Sequence, residues 1–398
     1  MPVPASAEPR EPWGAVLALG ITQITAWGTI FYLFPLLLEP LQAALGASRL
    51  AVVGAFSGAL LLSGLLAPVV GRSIDLHGGR LLMAAGSVLA TVGLTALARV
   101  NSLAQLYAVW ALLGVAMACT LYEPAFAVLT RAFVRHHRRA IAVLTLFGGF
   151  ASTVFWPLGQ TLIDAYGWRS TAMAFGAINL LLCLPLHLLV LPRRPLPPAP
   201  TAGKAASVPL QAVLRDRRFY LLAAAFTANV LVFSATSVHM IAMLVAKGLT
   251  AAQAAGYGAL FGPMQVAGRL AEMMLGQRVA PSRVGLVALA MLPASLILLV
   301  LSGIGAWGFV AFALLYGAGN GVMTIVRGTV PVELYGRDHY GAVNGALAAP
   351  VLLAKAAGPL VAALALLAVP DYDAVAMLLA TIAGSALVFF GLALRRWN

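Results

Sequence analysis

Three charged side chains lie inside otherwise apolar stretches, and their chemistry sets the question. Lys355 sits amid Leu353, Ala354, Ala356 and Ala357, far from either end of its run. Glu123 lies toward one end of another run and is followed by Pro124, whose missing N–H frees a backbone carbonyl behind it. Arg327 closes a third run, with Met323 and Asn320 on its face at i−4 and i−7. A charge in hydrocarbon costs about 2.5–3.5 kcal/mol on insertion scales, so such residues are rare and mark functional cavities. Lys355 is expected to bind an anionic substrate or to partner a carboxylate. Glu123, a carboxyl whose proton affinity changes with the nearness of a cation, suits a proton carrier. Glu123 is therefore expected to pair with Arg327 or Lys355 when a gate shuts and to part from them when it opens.

Neutral polar residues extend the set. Gln23 and Trp27 share a helical face at i,i+4, while Asn229, Gln265, Tyr316 and Asn320 each interrupt a different part of the apolar pattern. Singly, such residues are interhelical glue at about 0.6 kcal/mol each; together with Lys355 they are expected to line a substrate site. His187 and His239 read as packing residues, and Trp156 beside Pro157 as a wall or a packing residue. The patterns HExxH, GxSxG and GxxxxGK[ST] do not occur, and Gly303, Gly305 and Gly308 match GxGxxG without a preceding strand. Neither a cofactor nor a metal is expected. Cys119 and Cys183 offer no disulfide framework.

The elements that hold these residues follow from composition. The chain has 398 residues, of which 62% are hydrophobic and 9% charged, with mean hydropathy +0.95. A soluble globular chain carries about 25% charge, so this one must use lipid as its principal solvent. Disorder, a fibre and an ordinary cytosolic enzyme are excluded. Twelve apolar runs are long enough to span a bilayer, near 13–37, 49–70, 81–98, 103–128, 139–161, 170–191, 218–244, 251–275, 284–303, 305–327, 339–368 and 373–394. The proline-rich leader with Glu8 and Glu11 lacks the basic start of a signal peptide, so the first run is expected to persist as a span. The net charge of +13 is topological: 20 of the Lys and Arg residues fall on the side of both ends and only 4 on the other. That imbalance places both termini in the cytoplasm and excludes a nucleic-acid partner.

One stretch breaks the pattern. PRRPLPPAPTAGK followed by RDRR reads as a solvated linker. The expected organisation is a six-helix bundle over 1–192, a cytoplasmic linker over 193–217 and a second six-helix bundle over 218–398. The halves echo each other: Gly71-Arg72-Ser73-Ile74-Asp75 after span two matches Gly268-Arg269-Leu270-Ala271-Glu272 in span eight, 197 positions on. The fold class is all-α, twelve transmembrane helices in two pseudo-symmetric bundles with a site between them.

Gly71, Asp75, Gly78 and Arg80 stand at the spacing G-x-x-x-D-x-x-G-x-R, which resembles the loop signature of the major facilitator superfamily. Leu76 and Gly79 depart from that pattern at usually basic positions. Gly167-Trp168-Arg169 and the glycines 317, 319 and 321 are also similar to that family, and Arg269 in span eight resembles its monocarboxylate-porter-like branch. Span one has no lysine, and Gln265 stands where that branch carries an aspartate. The resemblance covers essentially the whole chain. It implies secondary transport of a small-molecule substrate by alternating access, driven by protons, in a cell inner membrane, by a monomer. It also implies a latch on the cytoplasmic face built from Gly71, Asp75, Gly78 and Arg80, with Arg269 and Glu272 as the echo and Arg80 offered as partner to Asp75. A small organic anion is the favoured cargo. Efflux of drug-like molecules stays open, with an arsenical at Cys119 a remote version, and so does a membrane-embedded enzyme or sensor.

Overall fold

The structure is a computed structural model that describes residues 11–133, 136–192, 213–275, 278–301, 305–335 and 340–395. Most of the linker expected over 193–217 lies outside these residues, as do Arg10, Arg135, Arg193, Arg194, Lys204, Arg337, Arg396 and Gly303.

Among the described residues every regular element is a helix. We number the spans α1 (Trp13–Leu45), α2 (Arg49–His77), α3 (Arg80–Leu97) and α4 (Leu103–Ala132). The helical run Arg139–Val190 is two spans, α5 and α6, folded at Gly167, whose φ of 77° is a left-handed value that an L side chain resists. Then follow α7 (Arg217–Ala246), α8 in two pieces (Ala251–Ala259 and Phe261–Leu275), α9 (Pro281–Leu301), α10 (Ala306–Tyr335), α11 (Tyr340–Ala368) and α12 (Tyr372–Leu394). Several helices outrun the apolar stretches that announced them: α1 reaches Leu45 rather than 37 and α2 reaches His77 rather than 70. Backbone chemistry ends these helices, not hydrophobicity. Gly46 at φ 56° and Gly78 at φ 82° are the stops.

Packing divides the molecule by height. One hydrophobic cluster, with Val16, Leu19, Ile74, Leu129 and Phe133, is confined to α1–α6. A second, with Phe219, Phe226, Val326, Leu347 and Phe390, is confined to α7–α12. Both lie toward the face that carries most of the arginines, here the basic face. On the opposite side a single larger cluster runs through both halves and joins Phe34, Phe56, Trp110 and Trp156 to Phe261, Phe312 and Tyr316. The bundles are thus fused by a shared core on the opposite face and hold separate cores on the basic face, which leaves a space between them there.

Two glycines allow the bundles a close approach. A Cβ on Gly262 would lie 2.5 Å from the Gly149 carbonyl oxygen, so α5 and α8 cross backbone to backbone. Trp156 lies at the same crossing: its indole N–H donates to the Tyr32 carbonyl at 2.8 Å, and its ring meets Tyr32 at 5.1 Å and Phe261 at 5.7 Å. Of the two readings open for Trp156, it packs, and it packs between bundles.

Candidate functional site

Irregular backbone surrounds the space between the bundles. In α1 a π-helical turn runs over Trp27–Phe31, closed by the Tyr32 N–H on the Trp27 carbonyl at 2.8 Å. Such a turn re-aims the side chains of a helix and recurs at functional sites. In α4 the helix breaks at Leu121 (φ −78°, ψ −158°). Pro124 has no N–H to give the Thr120 carbonyl, and Gln23 supplies the donor from α1: its Nε2 reaches the Thr120 carbonyl at 2.6 Å and the Leu121 carbonyl at 3.2 Å. In α11 Pro359 likewise deprives the Lys355 carbonyl, and the Ser234 hydroxyl of α7 donates to it at 2.6 Å. Both proline-freed carbonyls are satisfied by a side chain from a neighbouring helix, and both stand at or beside a charged residue.

A cavity of about 630 Å³ lies between the bundles. Its lining at the basic-face end, including Pro68, Glu123, Ala348 and Ala349, is exposed, while Phe31 and Tyr32 at the other end are buried in the shared core, whose aromatic rings plug that side. The cavity is therefore open toward the basic face and sealed toward the opposite one. Four of the site residues foreseen for the substrate line it: Trp27, Gln265, Asn320 and Lys355. Both foreseen gate residues, Glu123 and Arg327, line it as well.

The other three foreseen substrate residues are elsewhere. Gln23 is fully buried and spends its amide on the α4 break. Tyr316 is 1% exposed and belongs to the plug, with its hydroxyl 2.8 Å from the Ser237 hydroxyl and 2.9 Å from the Phe233 carbonyl. Asn229 is buried on α7, and its neighbour Val230 faces the cavity instead. Polarity within an apolar run did not distinguish a lining residue from one that mends helix packing.

The two walls differ in chemistry. Arg269, Arg327 and Lys355, the three cations of the cavity, all belong to α8, α10 and α11 of the second bundle. Glu123, its one carboxylate, belongs to the first, as do Trp27, Phe31, Tyr32 and Tyr122, four of its five aromatic residues. Glu123 makes no ion pair with Arg327 or Lys355 within 4.0 Å in this arrangement, and among the described residues neither Arg269, Arg327 nor Lys355 is ion-paired. The Lys355 ammonium lies 5.3 Å from the centre of the Trp27 ring. Arg269 is only 3% exposed; it donates to the Thr145 carbonyl and, at 3.5 Å, to Gln265 Oε1, and its Nε has no partner. Two further nitrogens of the lining, Trp27 Nε1 and Gln265 Nε2, are also buried without partners. All three unspent groups are N–H donors. A buried guanidinium with only neutral partners is costly unless an anion completes it.

Sequence reasoning placed Arg269 in the latch and missed Tyr122, Phe31, Phe233 and Thr324 as lining residues. Arg269 does tie the bundles, through Thr145 of α5, but it does so from the cavity wall. The available signal was its spacing: four residues after Gln265, it shares that residue's helical face.

The loop motif also needs a correction. Asp75 is bound by Arg131, not Arg80: Arg131 Nη1 donates to Asp75 Oδ1 at 3.0 Å and to the Asp75 carbonyl. The reason is the length of α2. The helix continues through Asp75 to His77 and presents the carboxylate to the end of α4, whereas Arg80 begins a new helix beyond the turn at Gly78. Glu272 is buried on α8.

The sequence model of the Major Facilitator Superfamily matches residues 19–292. The chain belongs to the major facilitator superfamily. It is thus a multi-pass membrane transporter rather than an enzyme. Its relatives include the MFS-type transporter pynF of Aspergillus niger, 28% identical over 316 residues, 75% of this chain and 67% of the relative. Monocarboxylate transporter 4 of Rattus norvegicus is 24% identical over 370 residues, 88% of this chain and 76% of the relative. The fold matches a crystal structure of a bacterial homologue of the human lysosomal transporter Spinster in an inward-facing, occupied conformation. That match has a TM-score of 0.73 at 15% identity and covers 98% of this chain and 100% of the other.

Proposed function

We propose that this superfamily member is a secondary active transporter that carries a small organic anion through a cell inner membrane by alternating access, coupled to protons through Glu123. One observation carries the reading: three cations, Arg269, Arg327 and Lys355, line a single cavity that holds one carboxylate and no ion pair among them. A cavity with that balance attracts negative charge. The excess of Lys and Arg on the side of the chain ends supports cytoplasmic termini and makes the basic face the inner one. The open space on that face then corresponds to an inward-open state. The separation of Glu123 from its cationic neighbours there accords with a carboxylate that pairs when the inner gate shuts. Each chain holds a whole cavity between its own bundles, which supports action as a monomer.

Proteoliposomes under an imposed pH gradient test this reading with a panel of organic anions. Uptake or efflux is expected to follow the gradient in the wild type, to lose its pH dependence in Glu123→Gln and to fall at least 10-fold in Lys355→Ala. Flux indifferent to pH removes the proton, and a Lys355→Ala protein with unchanged flux removes the anion.

A further inference from the structure

The asymmetry of the two walls bears on which anion fits. Resting on the anion reading above, we infer that the cargo is an amphipathic aromatic carboxylate, with its carboxylate on the second bundle and its ring on the first. The head group has a built receptor. Arg269 and Gln265 are 3% and 4% exposed, and Arg269 Nε and Gln265 Nε2 lack partners. A carboxylate offers two acceptor oxygens to such donors in one plane. Arg327 and Asn320 line the same wall from α10.

The body of the molecule has a different surface. Trp27 is the centre of an aromatic patch, with Phe31 at 5.1 Å and Tyr122 at 5.2 Å between ring centres, and Tyr122 is stacked on Phe126 at 5.2 Å. Leu60 and Leu352 complete an apolar lining around it. Trp27 and Lys355 both line the cavity, with the ammonium 5.3 Å from the ring centre, where a group that binds the ring can displace it. A ring stacked there releases Lys355 toward the carboxylate at the other wall. Size agrees: 630 Å³ lies within the range that encloses a drug-sized ligand. The binding pair is thus divided between bundles that move against each other, so cargo with both ends engages both.

The test is equilibrium binding to the purified full-length chain in lipid nanodiscs, using 3-phenylpropanoate, propanoate and 3-phenylpropanamide as probes. The expected order is 3-phenylpropanoate at least 10-fold tighter than either of the others. Trp27→Leu is expected to weaken 3-phenylpropanoate at least 10-fold, with Trp27→Phe restoring most of the loss. Arg269→Gln is expected to weaken both acids. If propanoate binds as tightly as 3-phenylpropanoate and both need Arg269, the ring assignment is overturned while the anion reading stands. If the neutral amide binds as tightly as 3-phenylpropanoate, the anion reading itself fails. Unchanged binding of 3-phenylpropanoate to a folded Trp27→Leu protein also overturns the inference.

Discussion

The Lys355 ammonium of α11 lies 5.3 Å from the ring centre of Trp27 in α1, so a cation of one bundle rests on an aromatic face of the other. Trp27 opens the π-helical turn of α1, and Lys355 stands four residues before Pro359 in α11. A cation–π pair is worth about 0.5–2 kcal/mol, rising as it loses water.

That energy is measurable as a coupling. Lys355→Met and Trp27→Leu are each expected to lower the melting temperature of the purified protein. The double variant is expected to lie close to the worse single one, because the same contact is lost twice. Additive losses contradict the pairing.

Gln23 has become a structural residue, and its removal should show it. Gln23→Leu leaves the Thr120 carbonyl buried without a donor, at a cost of about 1–3 kcal/mol. A clear fall in melting temperature is expected, along with weaker transport, since the α4 break is what presents Glu123 to the cavity. A variant as stable as the wild type speaks against the repair.

On the sealed face, the Arg49 guanidinium of α2 donates to the Tyr372 hydroxyl of α12. His239 Nε2 lies 3.0 Å from the Pro359 carbonyl, which can only accept, so that nitrogen carries the proton. Neutral His239 then accepts at Nδ1 from the Tyr372 hydroxyl, 3.1 Å away. Tyr372→Phe removes the Arg49 bond across the bundle junction and the His239 bond that steadies it within the second bundle. A hydrogen bond to a charged group contributes about 1.5–3 kcal/mol, so the opposite face is expected to open at least 10-fold more often. Spin-label distances across α2 and α12 report this directly, and an unchanged distribution refutes it.

Asp75→Asn separates stability from gating. The Asp75 side chain is 63% exposed, and its pair with Arg131 lies within one bundle. Exposed pairs are worth about 0.2–1 kcal/mol, so the melting temperature is expected to move by no more than about 4 °C. Transport is expected to fall much further, if the loop acts in the conformation closed at the basic face. A large stability loss with normal transport reverses that assignment.

Much of the site could be read from residue order alone, because a charge in an apolar run is self-announcing. Glu123, Arg327 and Lys355 stand out against their neighbours, and all three line the cavity. Neutral polar residues carry no such mark. Gln23 and Gln265 are the same residue type in the same kind of helix, yet one mends a broken neighbour and the other lines the cavity. What divides them is the position of Pro124 on another helix, a relation that no local window contains. The partner of Asp75 escaped for a similar reason: Arg131 is 56 positions away, and only the actual end of α2 brings the two together.

Composition and hydrophobic run lengths by themselves determined that this chain lives in lipid as twelve helices in two echoing halves, since chain length and transfer energy are properties of each segment alone. Tertiary structure decided which face is sealed, which helices break, and that the cations stand on one wall and the aromatic rings on the other. Those outcomes depend on how helices meet, and the atoms that decide them lie far apart in the chain.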